Sequence, residues 1–568
     1  MSGWGWFQFT FACLVIVALA WLLGKYLAAV FGGGRAPGER GFGATERFLY
    51  RACAIDPTVE QNWMGYAKSV LAFGLVSTLF LFLVLRLQGV LPFNPTHAPG
   101  MAPQLAFNTA VSFVTGTNWQ AYSGETQASH LAQMAGLVVA QFTAAAVGLG
   151  VALAVIRGLV RRRGSSVGNF WVDLIRSLVR VLVPLSIVSA LILVSQGAVQ
   201  NLHGFRTAHT LAGGVQQIPG GPVASMEVIK LLGTNGGSFY AVGGAHPFEN
   251  PTPFTNIFDL WLVVVLPFAI VLMFGRLIGN RRQGWMLFAV MAVLFAAHTV
   301  VGMQAEAHGN HLLPSSVTQA VSPHSPGGNM EGKDVRFGPE GSALISTGTM
   351  GTTAGATNSA LDSYTPVGGA AALVAILLGE VSPGGVGGGL YSILIFLLLA
   401  VFVAGLMVGR TPEFLGKKIR APQMRLVILY VLAVPLVVLG FGGFSLVLHA
   451  GSQSILNPSF HGLTEVTYAY ASAATNNGSA FAGLAANTDW YNTTLGIVML
   501  IGRFVPIVLA LAVAGSLSGA RIHAKTRATL DTSGPTFSAF LFGVIIIVGG
   551  LIYLPMLILG PIAERIVG

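Results

Sequence analysis

The stretch TNNGSAF (475–481) follows a semi-apolar segment, 462–474, that is too short to cross a bilayer. Three more stretches repeat the arrangement: VTGTNWQ (114–120) after 99–114, GTNGGSF (233–239) after 223–232, and VSPGGVGGG (381–389) after 368–379. A bilayer core takes about 20 apolar residues per helix, and runs of about 10–14 read as re-entrant half-helices. Non-helical backbone at membrane depth persists only when surrounded by protein or lining a water-filled cavity. Four half-helices, each followed by a loop of Gly with Thr, Asn or Ser, therefore predict four loops facing one axis.

Ten longer apolar runs frame these segments. They fall at 7–30, 66–87, 130–156, 174–196, 257–278, 285–302, 390–409, 426–448, 492–514 and 536–560. The whole chain of 568 residues is only 9% charged and 53% hydrophobic. Soluble domains carry roughly 25% charge, so the composition excludes a soluble enzyme. The fold class predicted is an all-α polytopic membrane protein of about ten transmembrane helices, with four helix–pore loop–helix repeats around one pore. The divisions are a first helix and loop (1–65), repeats at 66–163, 164–282, 283–425 and 426–530, and a last helix (531–568). The polar stretch 303–366 reads as an external loop or cap without recognisable chemistry. The first run reads as a retained helix, since its first basic residue, Lys25, sits at the far end.

Most of the 30 Lys+Arg follow odd-numbered runs. Examples are Arg35, Arg40, Arg47 and Arg51; Arg157, Arg161, Arg162 and Arg163; Arg410, Lys417, Lys418, Arg420 and Arg425; and Arg521, Lys525 and Arg527. The positive-inside rule then places those loops in the cytoplasm and both termini outside. The same rule accounts for the net charge of +10 without nucleic acid. Two cysteines form no metal or disulfide framework. No GxxxxGK[ST] occurs, and GGVGGG lacks the preceding strand of a dinucleotide fingerprint.

The loop chemistry points to a cation. A desolvated ion needs carbonyl oxygens in place of water. Gly reaches positive φ at little cost, and the C-terminal end of a half-helix carries negative partial charge.

FNTAVSFVTGTNWQAYSGET (107–126), HPFENPTPFTN (246–256), GEVSPGGVGGGLY (379–391), GRTPEFLGKKI (409–419), YAYASAATNNGSAFAGL (468–484) and IGRF (501–504) resemble the potassium-binding A subunits (KdpA) of Kdp-type potassium-transporting ATPases, over essentially the whole chain. The resemblance implies the four-repeat fold of a potassium-transporter superfamily, with potassium as substrate and no nucleotide bound by this chain. It implies a catalytic P-type ATPase partner, a small accessory subunit and sometimes a single-span peptide, in a prokaryotic inner membrane. If the four filters superpose, Gly116, Gly236, Gly384 and Gly478 occupy equivalent positions. Thr115, Thr117, Asn118, Thr234, Asn235, Gly237, Ser382, Gly385, Asn476, Asn477 and Ser479 then flank them, and Gln120 supports the filter. Departures from the usual family pattern fall at Gly116, at GGSFY (236–240) and at Ser382–Pro383.

Ionisable residues inside spans are functional hypotheses by default. Arg503 is either a paired structural residue or, as the resemblance implies, a gatekeeper below the filter. Arg410 is an interfacial anchor or, as the resemblance implies, part of an inner gate. Glu380, before the third loop, and Glu227, in the second half-helix, either pair behind the pore or attract cations. The phosphorylation motif DKTGT is absent, so ATP hydrolysis falls to a partner. Two rival readings remain: a self-sufficient channel or ion-coupled transporter of the same fold, and a scaffold with a degenerate pore.

Overall fold

A computed structural model describes residues 1–34, 36–161, 164–523 and 530–567. Of the expected basic-loop residues, Arg35, Arg162, Arg163, Lys525 and Arg527 lie outside the described residues. Among the described residues, ten helices are long and apolar enough to span: α1 (Gly3–Phe31), α3 (Trp63–Leu87), α5 (Ala132–Val160), α6 (Phe170–Ser195), α8 (Pro253–Leu277), α9 (Arg281–Ala307), α12 (Gly388–Met407), α13 (Ala421–Val447), α15 (Asp489–Ser518) and α16 (Pro535–Val567). Each coincides with a run read from the sequence. Between them lie α2 (Glu39–Ala52) and shorter helices that include α4 (Pro103–Thr115), α7 (Val223–Leu232), α10 (Gly338–Met350), α11 (Pro366–Leu377) and α14 (Phe460–Ala474). The strands among the described residues form three two-stranded ladders.

Local chemistry sets the helix starts. Asn62 Oδ1 caps the Gly65 N–H, Thr252 and Thr255 form a reciprocal cap on α8, and Thr488 caps Tyr491. Proline opens α4, α8 and α11, where its missing N–H costs nothing. The long helices are apolar all round, so their burial reflects position rather than amphipathicity. The most apolar window of α8 is 89% buried, and that of α16 only 17%. The outer faces carry exposed Leu75, Val76, Leu79 and Phe80 of α3, and Leu551 and Leu554 of α16. α1 lies along α8. A Cβ at Gly24 would stand 3.0 Å from the Ala269 carbonyl oxygen, the small-residue contact that brings membrane helices close.

Two features differ from the sequence expectation. The stretch 303–366 is not merely an external cap. It contains α10, and Gly341 through Met350 are all buried. Its hydroxyls are absorbed locally, Thr347 Oγ1 donating to Ala343 O at 2.6 Å and Thr349 Oγ1 to Ile345 O at 2.9 Å. Second, α11 is not a half-helix leading into a return loop of the same kind as the others. The residues after it, 378–387, lead directly into α12.

The segment GRTPEFLGKKI (409–419) is pinned by Lys417. Its buried Nζ donates to Gly158 O at 3.0 Å, Arg161 O at 2.7 Å and Leu517 O at 2.8 Å. The ammonium thereby satisfies carbonyls at the C-terminal ends of α5 and α15.

At the opposite end His461, on α14, bridges Asp362 at 2.9 Å and Glu564 at 2.8 Å. Burial alone would lower its pKa, but the two carboxylate bonds outweigh it and raise it to about 10. A raised folded value stabilises below the ordinary value of about 6.5 and is lost as pH rises through about 10. Amide exchange at 460–466 and 563–567, corrected for its intrinsic pH dependence, should therefore quicken roughly tenfold between pH 8.5 and 10.5. Equal protection at both pH values would remove the node from the fold's stabilising contacts.

Candidate ion-binding pore

Four short helices, α4, α7, α10 and α14, end beside one small cavity. Gly116, Thr234, Thr353 and Asn476 line it, one from each following loop. All four have positive φ: +85°, +51°, +53° and +56°. Such a conformation is rare for non-glycine residues, and for β-branched Thr it is strained. Each stands one to three residues past the end of its helix, where the last backbone carbonyls have no continuing helical turn to bond. Four helix C-termini thus add their negative partial charge at one point.

The loops run from this inner cavity to an outer vestibule of about 590 Å³, whose wall includes Gln120, Gly237, Gly355, Gly478 and Ser479. Between the two cavities the backbones are in direct contact. Gly236 N donates to Thr117 O at 3.1 Å. A Cβ at Gly236 would fall 2.3 Å from Asn477 O, 2.5 Å from Thr117 O and 2.7 Å from Gly478 Cα. A Cβ at Gly355 would fall 2.4 Å from Ser479 N and 2.6 Å from Asn477 O. Side-chain amides brace the crossing. Asn476 Nδ2 donates to Thr117 Oγ1 at 2.9 Å, and Thr115 Oγ1 lies 2.9 Å from Thr117 Oγ1. Asn477 Nδ2 donates to Met350 O at 3.2 Å and Ala354 O at 3.3 Å, and Asn235 Nδ2 to Gln141 O at 3.3 Å. Gln120 Oε1 accepts from Ser238 N at 2.8 Å. Asn118 is buried, and neither of its side-chain polar atoms has a partner among the described residues.

The residues named from the first, second and fourth loops therefore come together: Thr115 to Asn118, Thr234 to Gly237, and Asn476 to Ser479. Their register differs from the expectation. Position along the loop and backbone φ align Gly116 with Thr234 and Asn476, whereas Gly236 and Gly478 meet two residues further on, at the level of Asn118. The third loop is a larger correction. GTTAGATN (351–358), not 381–389, enters the crossing. The segment holding Ser382, Gly384 and Gly385 passes beneath it instead. Gly384 N donates to Gly351 O at 2.9 Å, and Val386 N to Thr234 Oγ1 at 3.0 Å. A Cβ at Gly387 would sit 2.0 Å from Gly148 O, so this segment lies against α5 across the inner side of the cavity. The missed signal is compositional: 351–358 carries Gly, Thr and Asn like the other three loops, but its helix has no apolar run.

The four charged candidates separate. Glu380 and Arg503 both line the inner cavity. Arg503 Nη2 donates to Ala144 O at 2.7 Å, and Glu380 Oε2 accepts from Ser392 Oγ at 2.8 Å. Glu227 pairs behind the second loop with Lys230, at 2.6 Å. Arg410 does not approach the cavity. It lies exposed beyond the far end of α12, its N–H donating to Gly405 O at 2.8 Å.

Ten spanning helices around four inward-dipping short helices, with their loops packed backbone to backbone, define a multi-pass membrane protein of the pore-loop class. Residues 10–566 match the family model described as potassium-transporting ATPase A subunit (KdpA), and the chain belongs to that family. Over 568 residues, all of both chains, it is 52% identical to the protein of Mycobacterium tuberculosis (strain ATCC 25618 / H37Rv) named potassium-transporting ATPase potassium-binding subunit. Relatives of the same name in Mesorhizobium japonicum (49% over 562 residues, 99% of this chain and 98% of the relative) and Rhodospirillum centenum (48% over 552 residues, 97% and 96%) are similarly complete matches.

Proposed function

We propose that this chain is the potassium-binding and translocating subunit of an ATP-driven uptake complex. The carrying observation is the convergence of four helix C-termini and four loops between the vestibule and the inner cavity. Backbone carbonyls there offer a desolvated cation the ligands it loses on leaving water. The names of the relatives supply the ion and the ATPase context. The filter is formed by Thr115–Asn118, Thr234–Gly237, Thr353–Thr357 and Asn476–Ser479, with Gln120 bracing the second loop. Residues 381–387, with Glu380 and Arg503, close its inner side.

The basic ends of the helices face the cytoplasm of a prokaryotic inner membrane, so the vestibule opens outward. ATP is hydrolysed by a P-type partner subunit, since DKTGT is absent from this sequence. A small accessory subunit and a single-span peptide complete the assembly. Potassium and sodium titration of ATPase activity in the co-purified complex tests this reading. Potassium-specific stimulation is expected. Potassium flux without a bound ATPase partner would favour the self-sufficient channel.

Arg503→Ala carries a separate prediction. Its guanidinium is the cavity's fixed positive charge, held by the Ala144 carbonyl. Removing it should change turnover or the ratio of ions moved to ATP hydrolysed by roughly tenfold, with assembly retained. Unchanged transport and coupling would leave Arg503 a structural residue.

A further inference from the structure

Lys230 is 0% exposed, an unusual setting for an ammonium group. A buried charge persists only when paired and hydrogen-bonded. Glu227, one turn earlier on α7, provides the counter-charge at 2.6 Å. A second acceptor is unexpected for a simple ion pair: Lys230 Nζ also donates to the Gly243 carbonyl at 2.9 Å. That same carbonyl accepts the Thr357 N–H at 3.0 Å. Gly243 thus sits between the helix that precedes the second loop and the chain that leaves the third.

The surroundings leave this turn little freedom. Gly243 and Gly244 have φ of +71° and +103°. A Cβ at Gly243 would meet Thr357 Oγ1 at 2.9 Å and Gly355 O at 3.1 Å. One at Gly244 would meet Glu227 Oε1 at 2.8 Å and Lys230 Nζ at 3.0 Å. Gly355 in turn abuts Ser479 and Asn477 of the fourth loop. A continuous chain of contacts therefore runs from the Lys230 ammonium through Gly243 and Thr357 to the crossing of the third and fourth loops.

We propose that Lys230 is a positioning residue for ion selection: by holding the Gly243 carbonyl it sets the spacing between the outer parts of the second and third loops. The proposal rests on the pore reading above. A carbonyl site discriminates between ions of one charge through the number and placement of its oxygens. A loop that can drift admits the smaller ion more readily. Lys230 touches no ion and acts through backbone.

The test uses the assembled complex and three variants. Glu227→Gln keeps an acceptor for Lys230 and the bond to Gly243, and the buried Glu249 and Asp259, which also interact electrostatically with Lys230, remain to offset its charge. This variant should retain the wild-type potassium KM and sodium rejection. Lys230→Met removes that bond and leaves Glu227 uncompensated. Glu227→Gln with Lys230→Met removes the bond and the Glu227 charge together. Both Met variants should raise the potassium KM roughly tenfold and narrow the potassium-to-sodium preference, with kcat at saturating potassium within about twofold. Wild-type ion dependence in the double variant, or an equal defect in Glu227→Gln alone, overturns the proposal. Should neither Met variant assemble, a potassium KM raised roughly tenfold in Glu227→Gln, which keeps the bond to Gly243, overturns the proposal. Loss of potassium dependence in the wild-type complex would instead strike the pore reading itself.

Discussion

Gly236→Asp should raise the potassium concentration for half-maximal ATPase activity of the assembled complex by roughly a hundredfold, about 2.7 kcal/mol of lost binding. The cause is the contact geometry. Any Cβ at this position enters the space of Asn477 O, Thr117 O and Gly478 Cα, at 2.3 Å, 2.5 Å and 2.7 Å. All three are backbone atoms of two other loops, so no side-chain rotation relieves the clash. At least one loop must move, and with it the carbonyls that would hold the ion. The carboxylate adds a second effect. Beside a carbonyl site it offers a strong, mobile ligand that binds sodium as readily as potassium, so selectivity should fall with affinity. Gly236→Ala should show the steric part alone, a smaller loss of affinity with sodium rejection better preserved. An Asp variant with wild-type potassium dependence would remove 234–237 from the filter.

Gly355→Val should raise the potassium KM by roughly thirtyfold, whereas Ser382→Ala should change it less than about twofold. The pair separates the two candidates for the third loop. A Cβ added at Gly355 would lie 2.4 Å from Ser479 N, 2.6 Å from Asn477 O and 2.7 Å from the Gly478 carbonyl carbon. Ser382 Oγ instead meets His298 Nε2 at 3.0 Å, outside the crossing. Its removal costs one side-chain hydrogen bond and leaves the loop backbone in place. The reverse ranking, with Ser382→Ala the more damaging, would return 381–385 to the filter and send 351–358 back to the vestibule wall.

The misassignment of the third loop has a physical origin. Hydropathy detects segments that lipid or a uniform apolar core must accept. α10 faces neither, because protein surrounds it on all sides. Ser342, Ser346, Thr347 and Thr349 are buried there, and the last two hydroxyls are satisfied by carbonyls one turn back. A helix solvated by protein can be polar and small, and such a helix reads in sequence as a loop. The glycines at 384–389 are the stronger compositional signal, and they serve a different close approach, against Gly148 and Gly351. A similar limit applies to Glu227. Its sequence position allows either a cation-attracting site or a structural pair, and only the fold brings Gly243 and Thr357 to its partner Lys230.

The ten spans are legible in the amino-acid order alone, because burying apolar length in a bilayer is a local requirement that composition satisfies residue by residue. Three of the four loops are legible in the same way, through Gly, Thr and Asn set at the ends of short apolar segments, and Arg503 stands out as a charge within a span. Folding in three dimensions was needed to choose the fourth member of the ring, to set the register in which the loops meet, and to separate Arg410 from Glu380 and Arg503. Those are relations between backbone atoms far apart in the chain. They depend on which helix ends converge, and no local propensity encodes that convergence.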